Sequence, residues 1–122
     1  MKACIRQYDI ETEYYFEEGC FITELSNTPD EPDISIAQAR LEPGRTTRWH
    51  RLRDIVERYV LIEGSAVVEV EGLAPQEVNP GDVVVIPAQT ARRISNNGSR
   101  DLVFLAICSP RFTLDAYIDI ET

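Results

Sequence analysis

Apolar residues in this chain come in short runs with alternating spacing, and frequent turn signals separate the runs. No segment sustains a helical period. The alternation predicts strands over residues 34–41, 45–51, 56–62, 65–70, 83–86, 91–95 and 102–108, with a short one at 76–78. In the strand at 34–41 the apolar set is Ile34, Ile36 and, more weakly, Ala39 and Leu41. The segment 45–51 carries polar residues on both faces, which is unusual for a core strand. Residues 1–10 read as a short first strand, and 14–25 as two strand-like pieces about Gly19. The cluster SNTPDEPD over residues 26–33 is a surface loop. Residues 112–120 read as one turn of helix or an irregular tail. Short strands with turns between them predict an all-β sandwich or barrel. Phe104 and Ile107 read as core, and Trp49 alternates with His50 and faces the opposite way.

A chain of 122 residues suffices for one domain, 1–122. Folding at this size buries roughly two-thirds of the unfolded surface. No apolar run approaches the ~20 residues needed to cross a bilayer. The N-terminus turns charged and polar early, which argues against a signal peptide and predicts a cytoplasmic protein. The net charge of −9 opposes phosphate backbones and anionic lipid, so neither nucleic acid nor membrane is an expected partner. Cys4, Cys20 and Cys108 form no CxxC pair and read as reduced thiols, mostly small apolar filler. The acids at 30–33 lack the glycine and spaced oxygens of a calcium loop. The sequon at Asn97 is a polar turn.

Two stretches carry fixed spacings. In GRTTRWHRLRDIVERYVLIEG, Gly44 is followed by His50, Leu52, Glu57 and Gly64. In the second, Gly81-Asp82 precedes four apolar residues, then Pro87, Gln89, Arg92 and Asn96. Together they resemble the two motifs of the cupin superfamily over about residues 34–108. The resemblance implies a cupin-type double-stranded β-helix, a jelly-roll barrel, with the N-terminal strands in residues 1–33 packed on the sheet or on a partner. It also implies a homodimer. In the family pattern two histidines and a glutamate from the first motif and a histidine from the second hold a divalent metal. Here those positions are His50, Leu52, Glu57 and Arg92. Leucine has no donor atom, and arginine has no lone pair to give. His50 is the chain's single histidine.

Alternation places Arg48, His50 and Leu52 on one face, Glu57, Tyr59 and Leu61 on another, and Arg92 and Ile94 on a third. The resemblance implies that these faces line the barrel interior, with an expected pocket of Arg48, His50, Glu57, Tyr59, Gln89 and Arg92. Three readings follow. In the first, the barrel binds a small anionic molecule through Arg92, with Arg48, Tyr59 and Gln89 assisting and His50 and Glu57 as a proton-transfer pair; some cupin isomerases and epimerases work without metal. A plain ion pair between Arg92 and Glu57 is the structural alternative for those two residues. In the second, His50 and Glu57 are residual ligands of a divalent metal (iron, manganese, nickel or zinc) in a dioxygenase-like or isomerase-like enzyme. In the third, the protein is a non-enzymatic sensor or interaction module.

Overall fold

Strand β5 (Val56–Glu63) shows how the alternation becomes structure. Glu57, Tyr59 and Leu61 are buried while their neighbours are half-buried or exposed. It lies between β8 (Val83–Ile86) and β10 (Leu102–Ser109). Beyond β10 come β3 (Ser35–Leu41), β2 (Phe21–Ser26) and the two-residue β1 (Tyr14–Tyr15), completing a six-stranded antiparallel sheet. The facing sheet has five strands in the order β11 (Tyr117–Asp119), β4 (His50–Leu52), β9 (Arg92–Ser95), β6 (Ala66–Val70) and β7 (Gln76–Val78). This jelly-roll arrangement is seen in a computed structural model that describes residues 1–121.

Register sets what meets inside. Across the larger sheet, Ala39, Phe104 and Leu61 form one cross-strand row. Ala37, Ala106, Tyr59 and Val84 form the next, and Ser35, Cys108, Glu57 and Ile86 a third. Paired residues on antiparallel strands share a face, so the polar members of the third row sit at one end of an otherwise apolar wall. The rings of Tyr59 and Phe104 pack at 4.7 Å. Opposite them, His50 pairs with Arg92 and Arg92 with Val70.

The turns have identifiable causes. Gly64 has φ +81°, and a Cβ there would sit 3.1 Å from the Asp101 carbonyl oxygen. A side chain is excluded both by conformation and by space. Asn96, 1% exposed, donates from Nδ2 to the carbonyls of Leu41 and Arg100 and accepts from the Gly98 amide. It closes the β9–β10 turn onto the end of β3.

Several sequence expectations are corrected. Residues 1–9 form no strand; they are exposed and tethered by the Arg6 guanidinium donating to Ser26 Oγ at 2.9 Å. In β3 the buried set is Ser35, Ala39 and Leu41, not the isoleucines, because β3 is central and its odd positions face Cys108, Phe104 and Leu102. Ile36 pairs with Ile107 on the outer side, and both are only half-buried. Residues 45–49 form no continuous strand; Thr46 bridges Ser95 and β4 begins at His50. The C-terminal tail, after a 3-10 turn at Leu114–Ala116, supplies β11, which pairs with β4. No helix among the described residues is long and apolar enough to cross a membrane.

Candidate functional site

Two hydrogen-bonded pairs, Arg92 with Glu57 and His50 with Glu18, meet where the sheets face each other. Glu57 projects from β5 and Arg92 from β9, and Arg92 donates from one terminal nitrogen to Glu57 Oε1 at 2.6 Å. The other terminal nitrogen donates to the Thr90 carbonyl at 3.0 Å, while Nε has no partner. Arg92 is fully buried and Glu57 is 7% exposed. Burial opposes the guanidinium's charge, but the adjacent carboxylate holds its pKa above the ordinary arginine value. The second carboxylate oxygen of Glu57 accepts from the Cys108 thiol, whose pKa is pushed up by burial and by that same charge. Tyr59 lies beside Arg92 and is driven well above its usual range, first by burial and then by Glu57.

The second pair contains a residue the alternation did not single out. The turn between β1 and β2 is closed by Gly19, φ +113°, and is pinned to the chain before β4 by the Arg48 amide donating to the Glu18 carbonyl at 2.8 Å. That contact sends the Glu18 side chain, 15% exposed, inward to His50 Nε2 at 3.0 Å. Its other oxygen accepts from the Cys20 thiol. His50 Nδ1 lies 2.6 Å from the Arg48 carbonyl oxygen. A carbonyl only accepts, so Nδ1 carries a hydrogen. One proton then remains to be shared between Nε2 and Glu18. The ring of Tyr117 covers the imidazole at 5.2 Å.

Burial raises the Glu18 pKa, His50 opposes that rise, and Glu57 adds to it. Folded Glu18 thus keeps its proton where the unfolded chain has lost it. Its contribution favours folding fully below the ordinary glutamate value of 4.5 and is lost as pH rises through the folded value. Glu18→Gln is expected to flatten the fall of stability with rising pH, measured by urea unfolding at a series of pH values.

Beside both pairs opens a cleft of about 50 Å³, room for a few waters or one functional group of a ligand. Phe16, Ala37, Ala106 and Phe112 form its apolar side, and Glu18 and Glu57 border its polar side. Of the six pocket residues expected from sequence, His50, Glu57, Tyr59 and Arg92 are buried in this region. Arg48 is not: its side chain is 46% exposed and bonded to Asp119 at 2.6 Å, because the chain before β4 lacks strand alternation. Gln89 is exposed, with φ +62°, and exchanges two hydrogen bonds with Asp54, locking the loops after β4 and β8 together. His50 and Glu57 are not bonded to each other; each has taken a different partner. Both terminal nitrogens of Arg92 are engaged, by Glu57 and by the Thr90 carbonyl, which is the ion pair expected as the structural alternative for Arg92 and Glu57. Glu18, Glu24, Asn27, Ser35 and Cys108 are further polar groups bordering the cleft.

The donor set does not suit a divalent metal. The imidazole Nε2 faces Glu18, Glu57 is bonded to a guanidinium, and Leu52 is packed in a small cluster with Ile55 and Ala116. Among the described residues, no group of three or more His, Cys, Asp or Glu side chains is placed to hold a metal ion.

A family model described as "Cupin domain" matches residues 37–108. No curated protein matches the chain. Among solved structures, KdgF from Halomonas sp. is similar with a TM-score of 0.74 and 20% identity, over 86% of this chain and 94% of that one. An oxalate decarboxylase from Lactobacillus farciminis, solved as a formate complex, has a TM-score of 0.76 and 24% identity. The match covers 89% of this chain and 33% of that enzyme, so this chain spans about a third of its length. A predicted oxalate decarboxylase from Thermotoga maritima gives 0.71 and 22%, over 80% of this chain and 90% of that one. At these identities the likeness is one of fold.

Proposed function

This chain belongs to the cupin family, and on that premise we propose that it binds a small organic molecule in the cleft against its larger sheet, beside a centre organised by side-chain ions in place of a metal. The 2.6 Å bond from Arg92 to Glu57 carries this reading. It puts a permanent cation where the family motif has a metal-binding histidine, and it uses the one carboxylate the motif retains. A cation in that position repels a divalent ion. An anionic ligand, the reading expected from Arg92, would compete with Glu57 for that guanidinium.

The bond between Glu18 and His50 supports a second, compatible reading, in which the cleft also moves a proton. Glu18 borders the cleft and can exchange a proton with a bound molecule, while His50 behind it accepts or returns that proton. A general acid–base pair of this kind suits isomerisation, with no external oxidant. The exposed Ile5, Tyr8 and Tyr15 support the expected homodimer, since a partner would cover them.

Filling the cleft tests the binding reading. Ala106 borders it on β10, and Ala106→Phe is expected to abolish the NMR shifts that a small-fragment library produces at cleft residues. The variant should still unfold cooperatively. Wild-type protein that shows no saturable shifts at the cleft, or a variant that binds as wild type does, would overturn the reading.

A further inference from the structure

We propose that the cleft selects a small organic cation, an amine in its ammonium form, as its ligand; this rests on the cleft being the binding site. Charge and wall chemistry point the same way. Glu18, Glu24 and Glu57 border the cleft, and no lysine or arginine does. Two guanidinium groups lie near the cleft without lining it: Arg92 is fully buried and bonded to Glu57, and Arg111 donates from Nε to the Asn27 side chain at 2.9 Å. Around the carboxylates stand three aromatic side chains, Tyr14, Phe16 and Phe112. The Phe16 and Phe112 rings meet edge to face at 6.1 Å.

An aromatic face attracts a cation, and the attraction grows as water is excluded. Carboxylates accept charge-assisted hydrogen bonds from an ammonium group. One acceptor is free: Glu57 is bonded to Arg92 and Cys108 and Glu18 to His50 and Cys20, which leaves Glu24. Glu24 takes one bond, from the Tyr14 hydroxyl at 3.1 Å, through Oε1 alone. The Tyr14 pKa is pushed up to about 12 by burial and by Glu24, so its hydroxyl remains a donor and does not add a competing charge. The net charge of −9 draws cations toward the surface, and a low-dielectric cleft focuses that field. The apolar floor of Ala37 and Ala106 accommodates the ligand's alkyl part.

The test uses three probes of one shape on the full chain: propylammonium, 1-propanol and propionate. Each is titrated against the labelled protein at low and high salt, and the resonances of Ala37, Ala106, Phe16 and Phe112 are followed. Propylammonium is expected to shift them saturably, about tenfold more tightly than propanol, with the preference shrinking as salt screens it. Propionate is expected to leave them unmoved. Glu24→Gln, on the exposed rim and so without risk to the fold, is expected to weaken propylammonium binding about threefold to tenfold and to leave propanol unchanged. Propionate or propanol binding as tightly as propylammonium would overturn the cation assignment while leaving the cleft a binding site. No saturable shift with any probe would overturn both.

Discussion

Replacing Arg92 with methionine will cost about 3–5 kcal/mol of folding stability, because it strands the Glu57 carboxylate in the interior without its cation. The bond spans the two sheets, so the loss falls on the contact that holds the barrel's faces together. A neutral partner removes the cause. Arg92→Met combined with Glu57→Gln is expected to recover most of the loss, since the pair then needs no charge compensation and the amide oxygen still accepts from the Cys108 thiol. Urea unfolding of wild type, both single variants and the double variant gives the coupling directly. A double variant as unstable as Arg92→Met would show that methionine fails there for its shape and not for lost charge.

The second large effect is a gain. Arg92 and His50 are direct cross-strand partners, which places their Cβ atoms about 4.5–5.5 Å apart, and Glu57 already reaches position 92. Arg92→His removes the repelling charge and adds an imidazole beside an imidazole and a carboxylate, a donor set that suits a divalent ion. Wild-type protein is expected to show no saturable Co²⁺ binding at this place. The R92H variant is expected to bind one Co²⁺ per chain and to be stabilised by it, with both effects lost on adding His50→Ala. Should R92H prove too unstable to purify, the wild-type titration still decides. Near-stoichiometric metal in wild type that disappears in His50→Ala would restore the metalloenzyme reading.

How much of this was legible before folding depends on what each residue's position encodes. Strands β5 to β10 were readable from short apolar runs bounded by turns, such as Val56–Glu63, Ala66–Val70 and Val83–Ile86; strand geometry grouped Glu57 with Tyr59, and the motif resemblance turned that face inward. Spacing likewise marked His50, Arg92 and Asn96. Phase failed where the chain is irregular. Thr47 and His50 are both buried although three residues apart, so Arg48 does not share the histidine's side. The polar residues on both faces of 45–51 were the available warning. Glu18 was out of reach by any periodicity. It sits in a turn, and its direction comes from Gly19 and from a backbone bond to Arg48, thirty residues along the chain. Its acidic neighbour Glu17 is exposed, and nothing local distinguishes the two. The tail strand β11 was hidden for a related reason. Tyr117–Asp119 is too short to show alternation and becomes a strand only by pairing with β4.

The wiring of the site also constrains when it can exist. Glu18 reaches His50 across 32 positions and Glu57 reaches Arg92 across 35, and no part of either bond is local. Loop closure must come before such contacts form, which places this barrel among slow folders, on a scale of milliseconds to seconds. Each bond forms only once segments more than thirty positions apart have met. Occupancy of the cleft and survival of the whole barrel therefore rise and fall together. A ligand present at about 100 times its dissociation constant adds roughly 2.7 kcal/mol to the global unfolding free energy. A simple melting curve on the intact protein thus reads out binding at a site whose chemistry nobody needs to assay.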